Sequence, residues 1–216
     1  MVYVPATPAQ PAQALAPPGV LALASPLVAR PARTAFQVKR AQLNVLDAHR
    51  ATVAGTLEEA RHAGRPGRMV ALQGLGRHGW RTLATTHTRA HGRFRLSFRP
   101  TRLVSERVRL RFAGDALARP ARRGLGRLNV YRLAGASWYG GGGGLACGGS
   151  LTSSTLGVAN KTLPCGTIVT LRYNGQTVRV PVVDRGPYVA GREFDLTEAT
   201  KQALGFGDTG QVWSTG

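Results

Sequence analysis

The middle of the chain alternates. In Gly92-Arg93-Phe94-Arg95-Leu96-Ser97-Phe98-Arg99 the side chains of Phe94, Leu96 and Phe98 point one way and the arginines mostly point the other; Arg107-Val108-Arg109-Leu110-Arg111-Phe112 repeats the device. A half-buried antiparallel strand requires this period of two, because successive side chains project to opposite faces of a sheet. Residues 52–55, 69–73 and 80–88 are further strand candidates, separated by the turn signals Gly64-Arg65-Pro66-Gly67, Gly76-Arg77-His78-Gly79 and His91-Gly92. Roughly six or seven short strands in about 90 residues predict a small β-sandwich. Further on, residues 167–173 and 176–183 read as strands joined by Asn174-Gly175, the strongest short-range hairpin signal in the chain. Residues 197–204 carry helix-forming side chains and stop at Gly205, which predicts a short helix with a glycine cap.

These patterns divide the chain. Residues 1–38 hold 7 of the 13 prolines and no surviving apolar period, and read as a disordered leader or degraded signal. Within them residues 20–29 resemble the apolar core of a secretory signal, although no Lys or Arg precedes it and Pro26 interrupts it. Residues 39–118 are the sandwich and resemble, in pattern, the immunoglobulin-like modules of bacterial surface proteins. Residues 119–134, with Pro120, glycines and several arginines, read as a basic linker. Residues 135–216 are compositionally distinct and open on five consecutive glycines, Gly140 to Gly144, which cannot hold one conformation unaided and predict a flexible loop.

Charge sharpens the division. The formal net charge is +19, and Lys plus Arg outnumber Asp plus Glu 23 to 5 through Gly135 but only 6 to 5 from Ala136 onward. Such asymmetry concerns partners rather than fold and points to polyanions, among them anionic wall polymers, lipid head groups and nucleic acid. The competing reading is a solvated strand face that happens to use arginine. Nucleic acid is disfavoured as a partner, because the basic part has a single tryptophan, Trp80, for base stacking. Two cysteines, Cys147 and Cys165, make a poor zinc site without nearby histidine; a disulfide fits better, would contribute about 3 kcal/mol, and implies an oxidising compartment. The five histidines scatter through the earlier part, so no metal site and no cofactor is expected. No run approaches the roughly 20 apolar residues of a membrane span.

The chemistry concentrates in Val183-Asp184-Arg185-Gly186-Pro187-Tyr188-Val189-Ala190-Gly191-Arg192-Glu193-Phe194-Asp195-Leu196-Thr197, where two carboxylates flank a Gly-Pro turn and no imidazole is present. Four segments, Ala136-Ser137-Trp138-Tyr139-Gly140, the run from Thr155 to Thr167 with Gly157-Val158-Ala159-Asn160 and Leu163-Pro164-Cys165-Gly166, Asp184-Arg185-Gly186-Pro187-Tyr188, and Gly191-Arg192-Glu193-Phe194-Asp195-Leu196-Thr197, together resemble the rare lipoprotein A (RlpA-like) family. The resemblance implies a six-stranded double-psi β-barrel, also seen in expansins, and an all-β protein overall. It implies an exported septal lytic transglycosylase whose partner is the glycan strand of peptidoglycan; separately, the chain is expected to be a monomer.

A lytic transglycosylase needs one carboxyl group, which protonates the glycosidic oxygen and then, as carboxylate, takes the proton of the muramoyl C6 hydroxyl as an anhydro ring closes. A hydrolase needs a second carboxylate to direct water or to form a covalent intermediate. The resemblance selects Asp195 as the acid, facing a groove while Phe194 and Leu196 face the core; its competing role is a helix N-terminal carboxylate. Asp184 is the second candidate, as a charged neighbour or a ligand for sugar hydroxyls; its competing role is a turn cap paired with Arg185 or Arg192. Ser137, Trp138, Tyr139, Asn160, Tyr188 and Arg185 are the candidate substrate-binding residues, the aromatic ones by stacking on sugar rings. Active relatives often carry Asn-Gly-Glu where this chain has Gly148-Gly149-Ser150, and His where it has Asn160. An expansin-like module that binds glycan without cutting it is therefore the alternative.

Overall fold

The computed structural model describes Met1 and residues 30–60 and 64–216. In chain order its elements are β1 Thr34–Gln42, β2 Asn44–Leu46, β3 Ala51–Glu59, β4 Met69–Gly76, β5 Gly79–His87, β6 Arg93–Phe98, β7 Val104–Phe112, β8 Ala121–Tyr139, β9 Val158–Ala159, β10 Ile168–Tyr173, β11 Gln176–Asp184, β12 Phe194–Thr197, α1 Glu198–Leu204 and β13 Thr209–Ser214. The protein is all-β, with one short α-helix and a single 3-10 turn at Ala90–Gly92 among the described residues.

Two sheets close over the first core. One runs β1-β3-β6, and the other places β8, β7, β4 and β5 side by side. Phe36, Val53, Leu57, Phe94 and Leu96 of the first meet Val70, Leu72, Val108, Leu110, Phe112, Leu128 and Val130 of the second. Phe36 and Phe94 meet edge to face at 5.8 Å, a geometry favoured by the ring quadrupoles. In β7 the alternation is complete, with Val108, Leu110 and Phe112 buried between outward arginines.

Six strands make the second core. The order β12-β9-β11-β10-β13-β8 is closed on itself by a parallel pairing of β12 with β8, so the ring has no free edge. Its interior holds Ala134, Ala136, Val158, Val169, Leu171, Val180, Val182, Phe194, Leu196 and Val212, with Leu204 and Phe206 packed beside them. The β10–β11 hairpin turns at Asn174 and Gly175, both with positive φ, and α1 ends at Gly205 in the left-handed region. Both features follow from the residue types at those positions.

Three expectations need correction. Residues 34–38, assigned to the leader, begin β1 and send Phe36 into the core; residues 2–29, with the signal-like segment, lie outside the described residues. Residues 119–134 are no linker: from Ala121 they belong to β8, which pairs with β7 from Phe112↔Ala121 to Val104↔Val130. The strand was hidden because the register shifts between Val108 and Arg109, leaving Leu125 as an extra residue that breaks the period of two. The glycine-rich loop, read as flexible, is stitched by backbone hydrogen bonds from Leu151 to Gly143 (2.8 Å) and from Leu145 to Gly149 (3.1 Å). The expected disulfide is present between Cys147 and Cys165 and anchors the same loop.

At its nineteen residues, β8 is about 60 Å long at ~3.3 Å per residue. It belongs to both cores. Where they meet, Tyr131 is fully buried, donates to Asn44 Oδ1 (3.0 Å) and packs its ring on Trp213 at 5.7 Å. Asn129 donates to the same oxygen of Asn44 (2.7 Å) and accepts from the Ser105 hydroxyl (2.7 Å), so the polar groups at this junction satisfy one another.

Candidate functional site

The site grows from strand register. β12 lies between β8 and β9, and Asp195 stands opposite Ser137 on one side and Ala159 on the other. Ala159 in turn stands opposite Asp184 of β11. Ser137, Asp195, Ala159 and Asp184 thus form one row across four strands, with the two acidic backbones about 10 Å apart at ~4.8 Å per strand. Phe194 and Leu196 are fully buried in the barrel, so alternation turns Asp195 outward, where it is half-buried. Between the carboxylates the floor is only a methyl group, that of Ala159.

The two acids are held differently. Asp195 Oδ1 accepts the Ser137 hydroxyl, and no ion pair among the described residues involves Asp195. Its Oδ2 borders the Gly186-Pro187-Tyr188 turn: a β-carbon on Gly186 would lie 3.9 Å from that oxygen and 3.8 Å from the Tyr188 ring. Glycine is called for there by its φ of 126°. Tyr188 itself is 81% exposed. Asp184 Oδ1 accepts two backbone N–H groups, from Ala146 (2.9 Å) and Arg185 (2.8 Å). The first bond fastens the glycine-rich loop to the row, and the Cys147 N–H bond to the Val183 carbonyl (3.2 Å) reinforces it.

Arg185 and Asn160 face the next loop. Arg185 Nη1 donates to the carbonyls of Asn160 (2.9 Å) and Leu163 (2.8 Å), and Nη2 to Cys165 Sγ (3.1 Å). Asn160 Oδ1 accepts the N–H groups of Thr162 (3.0 Å) and Leu163 (2.8 Å), while Nδ2 donates to the Glu193 carbonyl (3.0 Å). Both side chains are thereby tied to backbone.

Tyr139 reaches toward both carboxylates. Its hydroxyl is buried and makes no hydrogen bond; burial above all, then the negative charge of Asp184 and of Asp195, pushes the phenol well above its ordinary range. It stays neutral, a donor whose nearest acceptor is the Asp184 carboxylate, just beyond good hydrogen-bond geometry. Trp138, between Ser137 and Tyr139 in sequence, points to the other side of β8. Its indole N–H donates to Asp208 Oδ1 (2.9 Å), and the Lys201 ammonium sits 3.8 Å over its ring.

The structure therefore gathers Ser137, Tyr139, Asp184, Tyr188 and Asp195, uses Asn160 and Arg185 to fix the adjoining loop, and sets Trp138 apart with Lys201 and Asp208. Sequence reasoning did not single out Ala146, Ala159 and Gly186. For Gly186 the Gly-Pro pair was the available signal; for the two alanines only register reveals the role. Among the described residues no three His, Cys, Asp or Glu side chains come together as a metal site would need.

The six-stranded ring is closed by both parallel and antiparallel pairings and carries this polar row on its outer face. Residues 133–213 match the family model described as lytic transglycolase, and this C-terminal domain is an RlpA-like double-psi β-barrel. The probable endolytic peptidoglycan transglycosylase RlpA of Aquifex aeolicus is 39% identical over 94 residues, which cover 41% of this chain and 42% of that protein. The corresponding Synechocystis protein is 37% identical over 112 residues, 45% of this chain and 35% of the relative. The endolytic peptidoglycan transglycosylase RlpA of Pseudomonas aeruginosa strain UCBPP-PA14 is 40% identical over 87 residues, 38% of this chain and 26% of the relative. The chain spans less than half the length of each.

Proposed function

We propose that this protein acts outside the cytoplasm, as a monomer, on the glycan strands of peptidoglycan, cleaving them by lytic transglycosylation with Asp195 as the single acid and base. The observation that carries the reading is the state of Asp195: outward on a rigid strand, oriented through one oxygen by Ser137, free of any cation among the described residues, and open at its second oxygen. The protonated carboxyl gives its proton to the glycosidic oxygen as the C1–O bond breaks. The resulting carboxylate takes the proton of the C6 hydroxyl as O6 bonds to C1, so the acid is restored and no water is consumed. Asp184, its Oδ1 bound by two amides, anchors the loop that walls the site and supplies negative charge to the developing cation. Tyr139, its hydroxyl buried beside the two carboxylates, lines the base of the site, and Tyr188 offers an exposed ring to the sugar.

One observation favours a second reading, a module that holds glycan without cutting it. The Asn160 side chain, at the position where active relatives often carry His, is bonded only to backbone. Mass spectrometry of purified sacculi incubated with wild type and with Asp195→Asn separates the two. Anhydro-muramoyl products from wild type and none from the variant, with unchanged circular dichroism, support cleavage. Co-sedimentation with sacculi and no soluble product overturns cleavage in favour of holding.

A further inference from the structure

The outer face of the β7–β8 pair carries charge that no acid meets: Arg109 Nε donates to Gln73 Oε1 (3.0 Å) and Arg127 Nη1 to the Ser105 carbonyl (3.0 Å), both neutral acceptors. Arg107 stands directly opposite Arg127, and Arg111 directly opposite Arg122, so each pair shares one side of the sheet. Arg109 projects between them, since outward residues of β7 alternate with the buried Val108 and Leu110. Like charges directly opposite destabilise a sheet, and here two such pairs lie on one face with Arg109 between them. The extra residue at Leu125 creates the arrangement: Arg122 and Arg127 are an odd number of residues apart and would otherwise face opposite ways.

No carboxylate neutralises the strip. The ion pairs among the described residues use Arg65, Arg68, Arg81, Arg132 and Lys201, and none of the strip arginines. The nearest acid of the strand, Glu106, is on the buried face and held by Arg81 Nη2 at 2.8 and 2.9 Å. Burial first, then Arg122 and Arg111, holds the Arg109 guanidinium below its ordinary range. Arg127 is lowered likewise by burial, then by Arg179 of the barrel and by Arg107.

We infer that this strip binds a linear, phosphodiester-linked polyol chain, an anionic polymer of the wall; the inference rests on the reading of this protein as one that works on the wall. A strip rather than a disc of charge, with same-face side chains about 6.7 Å apart along each strand, fits an extended chain. Guanidinium groups match phosphate oxygens in bidentate geometry. One face of the Trp80 ring is already covered by Arg109 at 3.9 Å, which leaves at most the other for a nucleic-acid base.

The test is titration of the full chain with poly(glycerol phosphate) at several salt concentrations, using R107Q/R111Q/R122Q and, as control, R93Q/R95Q/R99Q, which removes equal charge from exposed positions on and beside β6. At about 0.7 per neutralised charge, the strip variant flattens the log–log salt slope by about 2 and binds at least ~10-fold more weakly. The control stays within about 3-fold of wild type. Equal losses in the two variants would mean that bulk charge, not the strip, binds the polymer, and would overturn the proposal. Single-stranded DNA bound more than about tenfold tighter than the polymer would overturn it in favour of nucleic acid. The strip variant retains cleavage of polymer-free sacculi, and Asp195→Asn retains polymer binding, so failure of either reading leaves the other standing.

Discussion

Replacing Cys147 and Cys165 by serine tests how firmly the site depends on its loop. The bond closes a loop of sequence separation 18, and the loss of chain entropy that it imposes on the unfolded state is about 3 kcal/mol at that length. Against a stability of about 5–15 kcal/mol typical of domains, this is a large fraction. At roughly 2–4 °C per kcal/mol for a chain of this size, the melting temperature falls by about 6–12 °C. Because β8 is shared by both cores, the whole described unit from Pro31 should melt together. Calorimetry and tryptophan fluorescence then report one transition displaced as a unit. The same change frees residues 140–150, so Ala146 no longer donates steadily to Asp184, and sacculus cleavage falls further than the folded fraction does at the assay temperature. A loss of less than about 1 kcal/mol, or cleavage that simply follows the folded fraction, would refute the claim that the disulfide organises the site.

Two further outcomes follow from the same geometry. Ser137→Ala removes the hydroxyl that orients Asp195; a hydrogen bond to a charged group contributes about 1.5–3 kcal/mol, so kcat falls by roughly 10- to 100-fold with KM little changed, measured on sacculi. Asp208 is hydrogen-bonded by Lys201 and by Trp138, and these bonds, with the charge of Lys201, hold its carboxyl below the ordinary range. A lowered folded value means that the interaction is fully present above the unfolded value near pH 3.9 and is lost as pH falls through the lower folded one. An acid step in tryptophan fluorescence below about pH 4, absent in Asp208→Asn, is the expected signature.

Where local chemistry decides, the chain could be read directly. The arginine–apolar alternation of β6 and β7, the Asn174-Gly175 hairpin, the glycine cap of α1 and the outward turn of Asp195 between Phe194 and Leu196 all depend on residues within a few positions of one another. What escaped depends on partners far away in sequence. β8 carries too many glycines and arginines to look like a strand, and its period slips at Leu125; it is a strand because β7 pairs with its first half and β13 and β12 with its second. β9 is two residues long, too short for any pattern, yet it sets Ala159 between the two carboxylates. Trp138 could have been separated from Ser137 and Tyr139 by alternation alone, because neighbours in one strand face opposite sides.

The shared strand also links the two readings. On β8, Arg127 and Ser137 are ten residues apart and of the same parity, which puts them about 33 Å apart on the same nominal face. Both halves of the strand are bonded to neighbours, the first to β7 and β2 and the second to β13 and β12, so these two points cannot move independently. A polymer held by the arginines is therefore kept at a fixed short distance from Asp195. If that polymer is attached to the glycan being cut, cleavage becomes effectively intramolecular, with an effective concentration set by the span rather than by diffusion. Cleavage of polymer-bearing sacculi should then exceed that of stripped sacculi at low protein concentration, and R107Q/R111Q/R122Q should abolish the difference. An advantage that persists in that variant would show that the two ends of β8 act separately.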